Sequence, residues 1–124
     1  MNLMDWEDGI LKFHHIGFEV KDLESSKENF INHLGFHTEE YLELNGENLL
    51  FLVNDSIRIE LIENDCIEDE GLSQMHICFE TDCLEFLDAW GLSIIEGPML
   101  MENGWTSVFV EGKNSETIEF LKRI

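Results

Sequence analysis

The sequence predicts an α+β fold made of two tandem β-α-β-β-β modules, and three observations carry that reading. A strand-like stretch is written twice: HIGFEVKDLE from His15 and HICFETDCLE from His76 agree at six of ten positions. Two later stretches, IRIELIEN and ETIEFLKR, share Ile59 with Ile118 and Glu60 with Glu119. The offsets agree as well, with 61 residues between the two histidines and 59 between the two glutamates. Two modules of about 60 residues, each too small to bury a core well alone, gain by packing together.

The elements follow in order. Residues 12–20 alternate and are rich in Phe, Ile and Val, which is the pattern of a strand. KDLESSKENFINHLGF follows, with Asp22 as a cap, Leu23, Phe30, Ile31 and Leu34 at helical spacing, and Gly35 as the stop. Strands are expected over 36–42 and 48–53, joined by a turn at Asn45-Gly46, and over 57–63 after the turn NDS. The first module thus runs over about 11–64, an acidic linker over about 65–73, and the second module over about 74–123. The second repeats the order. A strand is expected over 75–81, a short helix over 82–90 and a strand over 92–96 with Gly97-Pro98 beyond it. WTSVFVEG and ETIEFLKR make the last two strands.

Composition bounds the function. With 44% hydrophobic residues in 124, a single domain can bury roughly two thirds of its unfolded surface. Asp and Glu number 27 against 7 Lys and Arg, a formal charge of −20. Such a surface repels nucleic acid and anionic lipid, which sets both aside as partners. Cys66, Cys78 and Cys83 are odd in number and form no C-x-x-C pair, so reduced, mostly buried thiols in a cytoplasmic protein are expected. The first ten residues lack the layout of a signal peptide, and no apolar run has the length of a membrane span.

Strand alternation sorts the polar residues by face. Ile16, Phe18 and Val20 share one face of the first strand and His15, Gly17 and Glu19 the other. Ile57, Ile59 and Leu61 oppose Arg58, Glu60 and Ile62; Met75, Ile77 and Phe79 oppose His76, Cys78 and Glu80; Ile118 and Phe120 oppose Glu119. His15, Glu60, His76 and Glu119 therefore all lie away from the helix-packed face. On a flat sheet they would be ordinary solvated residues. On a curled one, a pseudo-twofold would bring one His and one Glu from each half to a common centre. Two imidazoles and two carboxylates there suit a divalent ion such as Zn, Ni, Co, Mn or Fe.

At these residues the chain resembles the vicinal oxygen chelate superfamily, the glyoxalase I-like fold, over about residues 12–123. HHIGFEVKDLESSKENFINHLGF resembles its opening strand and helix, IELIEN and MHICFE its next ligand strands, and GWTSVFVEGKNSETIEFL its closing hairpin. The resemblance implies a cupped, barrel-like mixed sheet with the helices outside. It implies one divalent metal ion, with Ni, Co or Zn ahead of Mn or Fe, held by His15, Glu60, His76 and Glu119. It also implies pairing as a homodimer. His14 points to the opposite face and is read as structural. Two positions depart from the pattern: Gly112-Lys113-Asn114-Ser115 replaces the usual Gly-Pro-Asp-Gly turn, and Glu19 stands where glutathione-using relatives often carry Arg. Asn64 matches a glutathione-contacting position of some bacterial relatives.

The activity expected from the resemblance is that of a metal-dependent lyase or isomerase of the glyoxalase I type, like lactoylglutathione lyase. It takes a carbon-bound proton from a small-molecule thiol adduct through a metal-stabilised enediolate. Glu119 is the first candidate for the base and Glu60 the second. The alternative is epimerisation beside a thioester carbonyl, as in methylmalonyl-CoA epimerase. Two further classes are weighed: an iron dioxygenase-like protein, and a non-catalytic small-molecule binding or resistance protein. Trp105 and Phe109 are read first as core or interface aromatics and second as ligand contacts.

Overall fold

The protein was analysed as a computed structural model that describes residues 11–44, 46–66, 74–85, 87 and 91–123. The described elements are, in order, β1 (Leu11–Val20), α1 (Leu23–Leu34), β2 (His37–Leu44), β3 (Glu47–Asn54), β4 (Ile57–Glu63), β5 (Met75–Thr81), β6 (Ser93–Leu100), β7 (Thr106–Glu111) and β8 (Thr117–Lys122). The chain divides into two compact units, one spanning His15–Met75 and the other joining the residues up to His14 to those from His76 on. The boundary falls within β1.

In the unit His15–Met75 the strand order is β2-β3-β4-β1. β1 and β4 run parallel with Ile16 opposite Ile59, while β2, β3 and β4 are antiparallel neighbours. Helix α1 begins where the sequence places it. Asp22 is extended and its carboxylate accepts from Ser25 N at 3.2 Å, filling one of the orphan donors of the first turn. A second is filled by Glu63, which accepts from Leu23 N at 3.1 Å and from Asn48 Nδ2 at 3.1 Å. Gly35 ends the helix at φ 77°, a left-handed conformation that a side chain would strain. Leu23 packs with Leu50, Leu52, Ile59 and Leu61 into a buried cluster, flanked by Phe18, Val20, Phe30, Ile31 and Phe36. Phe18, Val20, Ile59 and Leu61 are among the residues that alternation assigns to the helix-packed face. Each fully buried Leu contributes about 1.5–3 kcal/mol.

In the other unit the order is β5-β8-β7-β6, with β5 and β8 parallel and the rest antiparallel. Its core gathers Leu11, Leu87, Val108, Val110 and Phe120, with Phe79, Leu84, Leu92 and Ile118 against it. Arg123 braces the last strand, bonded through Nε and Nη2 to the two carboxylate oxygens of Glu80, both at 3.0 Å, with its guanidinium 5.5 Å from the Trp105 ring.

Four expectations need correction or restriction. Met75 and Ile77 do not pack; they are 58% and 36% exposed, as is Ile57 at 51%. Alternation says which residues share a face, not whether that face is covered. The strand expected over 92–96 runs through to Leu100, with Pro98 inside it after a cis Gly97-Pro98 bond. Proline is tolerated there because β6 ends the strand order and its pairing shifts register between Glu96 and Met99. The three cysteines form no disulfide, but only Cys78 is buried; Cys66 and Cys83 are exposed because they lie off the strands. Of the helix expected over 82–90, residues 82–84 are not helical, and 86 and 88–90 lie outside the described residues, as do residues 67–73 of the linker expected over 65–73.

Candidate functional site

Each unit brings together one histidine and one glutamate, by the same construction. In the unit His15–Met75, Gly17 of β1 stands opposite Glu60 of β4 in a parallel pairing. His15 is two residues before Gly17 and points to the same face. Because Gly17 has no side chain, the carboxylate opposite it can lean back towards the imidazole. His15 Nε2 then lies 3.1 Å from Glu60 Oε1, and both residues are buried. In the other unit Cys78, also small and fully buried, stands opposite Glu119 of β8. His76 Nε2 lies 3.0 Å from Glu119 Oε1, and these two are buried as well.

The next strand supports each pair. Phe51 of β3 is the register partner of Glu60, and Phe109 of β7 that of Glu119. Phe51 meets the His15 ring edge-on at 5.2 Å and 74°, and Phe109 meets His76 at 5.3 Å and 79°. The phenyl groups fix the ring planes and keep water from one side of each imidazole. Phe109 is thus a buttress of His76, and Phe51 is its counterpart in the other repeat, a supporting role that sequence reasoning missed. The signal for it was present: both are the large apolar residue on the glutamate-bearing face of the adjacent strand.

Sequence reasoning also missed Ser107. Its hydroxyl donates to Glu119 Oε2 at 2.7 Å, and the residue is 1% exposed. Ser107 therefore holds Oε2 of the Glu119 carboxylate, and Oε1 lies 3.0 Å from His76 Nε2.

The donor chemistry of each pair fits a divalent ion. Ionised carboxylates in apolar surroundings are costly unless compensated by charge. Imidazole nitrogen with carboxylate oxygen is a borderline donor set that suits Zn, Ni, Co, Mn or Fe. Two donors about 2.1 Å from one ion and about a right angle apart stand roughly 3.0 Å from each other. The observed 3.1 and 3.0 Å match that spacing. The same distances allow a hydrogen bond from Nε2–H to carboxylate.

The other singled-out residues have contacts of their own. His14 is buried and edge-on to Trp105 at 5.4 Å and 86°, so Trp105 packs against His14 and Arg123. Asn64 Nδ2 donates to Glu19 Oε1 at 2.8 Å, which ties together the two positions weighed for a thiol cosubstrate. Both arginines are clamped. Arg58 Nε and Nη2 bond Glu39 at 2.8 and 3.0 Å, and Arg123 is held by Glu80. No helix among the described residues is long and apolar enough to cross a membrane.

Comparison with known proteins covers almost the whole chain. The model of the Glyoxalase/Bleomycin resistance protein/Dioxygenase superfamily matches residues 12–120. No curated protein matches the sequence. A hypothetical protein of Bacillus halodurans C-125 is similar with a TM-score of 0.77 at 18% identity, covering 92% of this chain and 95% of its own. The methylmalonyl-CoA epimerase of Mycobacterium tuberculosis is similar with a TM-score of 0.76 at 17% identity, covering 91% of this chain and 88% of its own. A variant of the Streptomyces coelicolor methylmalonyl-CoA epimerase, in complex with 2-nitronate-propionyl-CoA, has a TM-score of 0.74 at 20% identity, with 91% and 94% covered. At these identities the likeness shows the fold.

Proposed function

This chain belongs to the Glyoxalase/Bleomycin resistance protein/Dioxygenase superfamily, and from that premise we propose that it is a metal-dependent enzyme that removes a proton from carbon beside a carbonyl. The observation that carries the reading is the buried imidazole–carboxylate pair built into each repeat. In this reading His15, Glu60, His76 and Glu119 together hold one divalent ion, Ni, Co or Zn ahead of Mn or Fe. When bound, that ion supplies Lewis-acid polarisation of adjacent substrate oxygens. The chain's own residues do the rest. His15 and His76 hold their rings against Phe51 and Phe109 and present Nε2. Glu119 or Glu60 accepts the proton from carbon and returns it. Residues Phe51 and Phe109 exclude water beside each pair.

For the substrate, epimerisation beside a thioester carbonyl is the reading supported by the similarity to methylmalonyl-CoA epimerases. Taking a proton from one face and returning it to the other requires acid–base groups on both sides, and one carboxylate per repeat provides two. Isomerisation of a thiol–ketoaldehyde adduct is the second reading. It is favoured by the −20 charge and by the clamping of both arginines, which leave little cationic surface for nucleotide phosphates. We read the protein as cytoplasmic and as a homodimer.

The two readings share their first step, so solvent exchange tests both. In D2O with Co(II) or Ni(II), methylmalonyl-CoA is expected to lose its α-proton signal by NMR and to scramble at that carbon. Exchange in a hemithioacetal and not in the thioester would favour the second reading. Exchange in neither, with metal bound, would overturn the assignment of proton abstraction.

A further inference from the structure

The two repeats are alike in register but unlike at one position. Counting back two residues along the strand from the buttressing phenylalanine gives Leu49 in β3 and Ser107 in β7. Leu49 pairs with Ile62, two residues beyond Glu60; Ser107 pairs with Leu121, two residues beyond Glu119. Both are buried, and both sit on the face that carries the glutamate. A leucine has no hydrogen to give. The serine has one, and it goes to Glu119 Oε2 at 2.7 Å. The backbone around Ser107 is also tightly set. Gly97 of β6 has φ 100°, and a Cβ there would come within 2.6 Å of the Ser107 carbonyl and 3.2 Å of Val108 Cα. Only a residue without a side chain lets β6 lie this close.

We infer that Ser107 is a positioning residue: by holding Oε2 of Glu119 it presents Oε1 beside His76 Nε2 and so sets the metal affinity of this half of the site. The inference rests on the reading that Glu119 and His76 are metal ligands. A carboxylate held at one oxygen by a short bond keeps a single rotamer, so the entropy of aligning the other oxygen is already lost before an ion arrives. In the other repeat the equivalent position is apolar and packs instead.

Cobalt(II) titration of the metal-free chain, followed by visible absorption, tests this without any turnover. Ser107→Ala is expected to weaken cobalt binding by about 10–100-fold, the range for residues that orient a ligand. Ser107→Thr, which keeps the hydroxyl, is expected to stay within about threefold of the unaltered chain, a small part of that range. Equal affinity in Ser107→Ala and the unaltered chain would overturn the inference while leaving the metal reading in place. An equal loss in Ser107→Ala and Ser107→Thr would assign the effect to packing and overturn it too. An unaltered chain that binds no cobalt would sink the metal reading first and this inference with it. Should Ser107→Ala fail to fold, Ser107→Cys carries the same test, since a thiol donates weakly: reduced affinity supports the inference and unchanged affinity overturns it.

Discussion

His76→Ala is expected to strip the ion from the protein and abolish activity while leaving a folded chain. The imidazole is the nitrogen donor of its unit's pair, 3.0 Å from Glu119 Oε1. Losing a direct ligand should cost more affinity than the roughly 10–100-fold typical of a supporting residue. The fold survives because His76 belongs to neither apolar cluster; those are built from Leu11, Leu87, Val108, Val110 and Phe120 and from Leu23, Leu50, Leu52, Ile59 and Leu61. Some stability is lost nonetheless. Glu119 remains buried and loses its histidine, a penalty of about 1–3 kcal/mol. Ser107 still donates to Oε2. Glu119→Gln is the companion variant, because the amide keeps the shape and accepts from Ser107 but carries no charge for an ion. Elemental analysis and far-ultraviolet circular dichroism check both. A His76→Ala protein that retains a full complement of metal would remove His76 from the ligand set.

The second large effect lies at Phe51. It is 2% exposed, faces away from the helix-packed cluster, and meets the His15 ring edge-on. Phe51→Ala removes a buried aromatic and leaves a cavity beside His15 and Glu60, which should cost about 3–5 kcal/mol. Against a total of about 5–15 kcal/mol for a domain, that is a large fraction. Urea unfolding of the metal-free protein should show the midpoint falling sharply with little change in slope. Phe51→Leu keeps most of the volume and should recover most of the loss, while still freeing the His15 ring from its edge contact. A loss below about 1 kcal/mol in Phe51→Ala would mean that the side chain is not the buttress described.

Much of this was legible in the sequence, for identifiable reasons. The faces of β4 could be read because Ile59 and Leu61 alternate with Glu60, and the cluster with α1 contains the first two. Helix α1 could be bounded because Asp22 and Gly35 have local conformational roles, and the structure places them as N-cap and C-cap. Alternation put each histidine and glutamate on the face away from the helix, but the pairing of each histidine with its own glutamate appears only in the register, where the glutamate stands opposite the second residue after the histidine. What could not be read depends on what lies across the strand rather than along it. Met75 and Ile77 look like core by alternation, but nothing local tells whether a face is covered. Pro98 looks like a strand stop, yet at the end of the strand order it costs no hydrogen bond. Ser107 looks like a small strand residue. Its importance appears only once Glu119 is known to lie beside it, although its place two residues before Phe109 was a hint.

In the proposed reading, one His–Glu pair from each repeat serves a single ion. Metal content per chain tests it most directly, measured by elemental analysis and native mass spectrometry on protein purified without chelators or nickel resin. One divalent ion per chain is predicted for the unaltered protein, falling to none in both His15→Ala and His76→Ala. Two ions per chain, or an ion that survives loss of either histidine, would mean that the pairs act separately; no ion at all would remove the chemistry proposed for them.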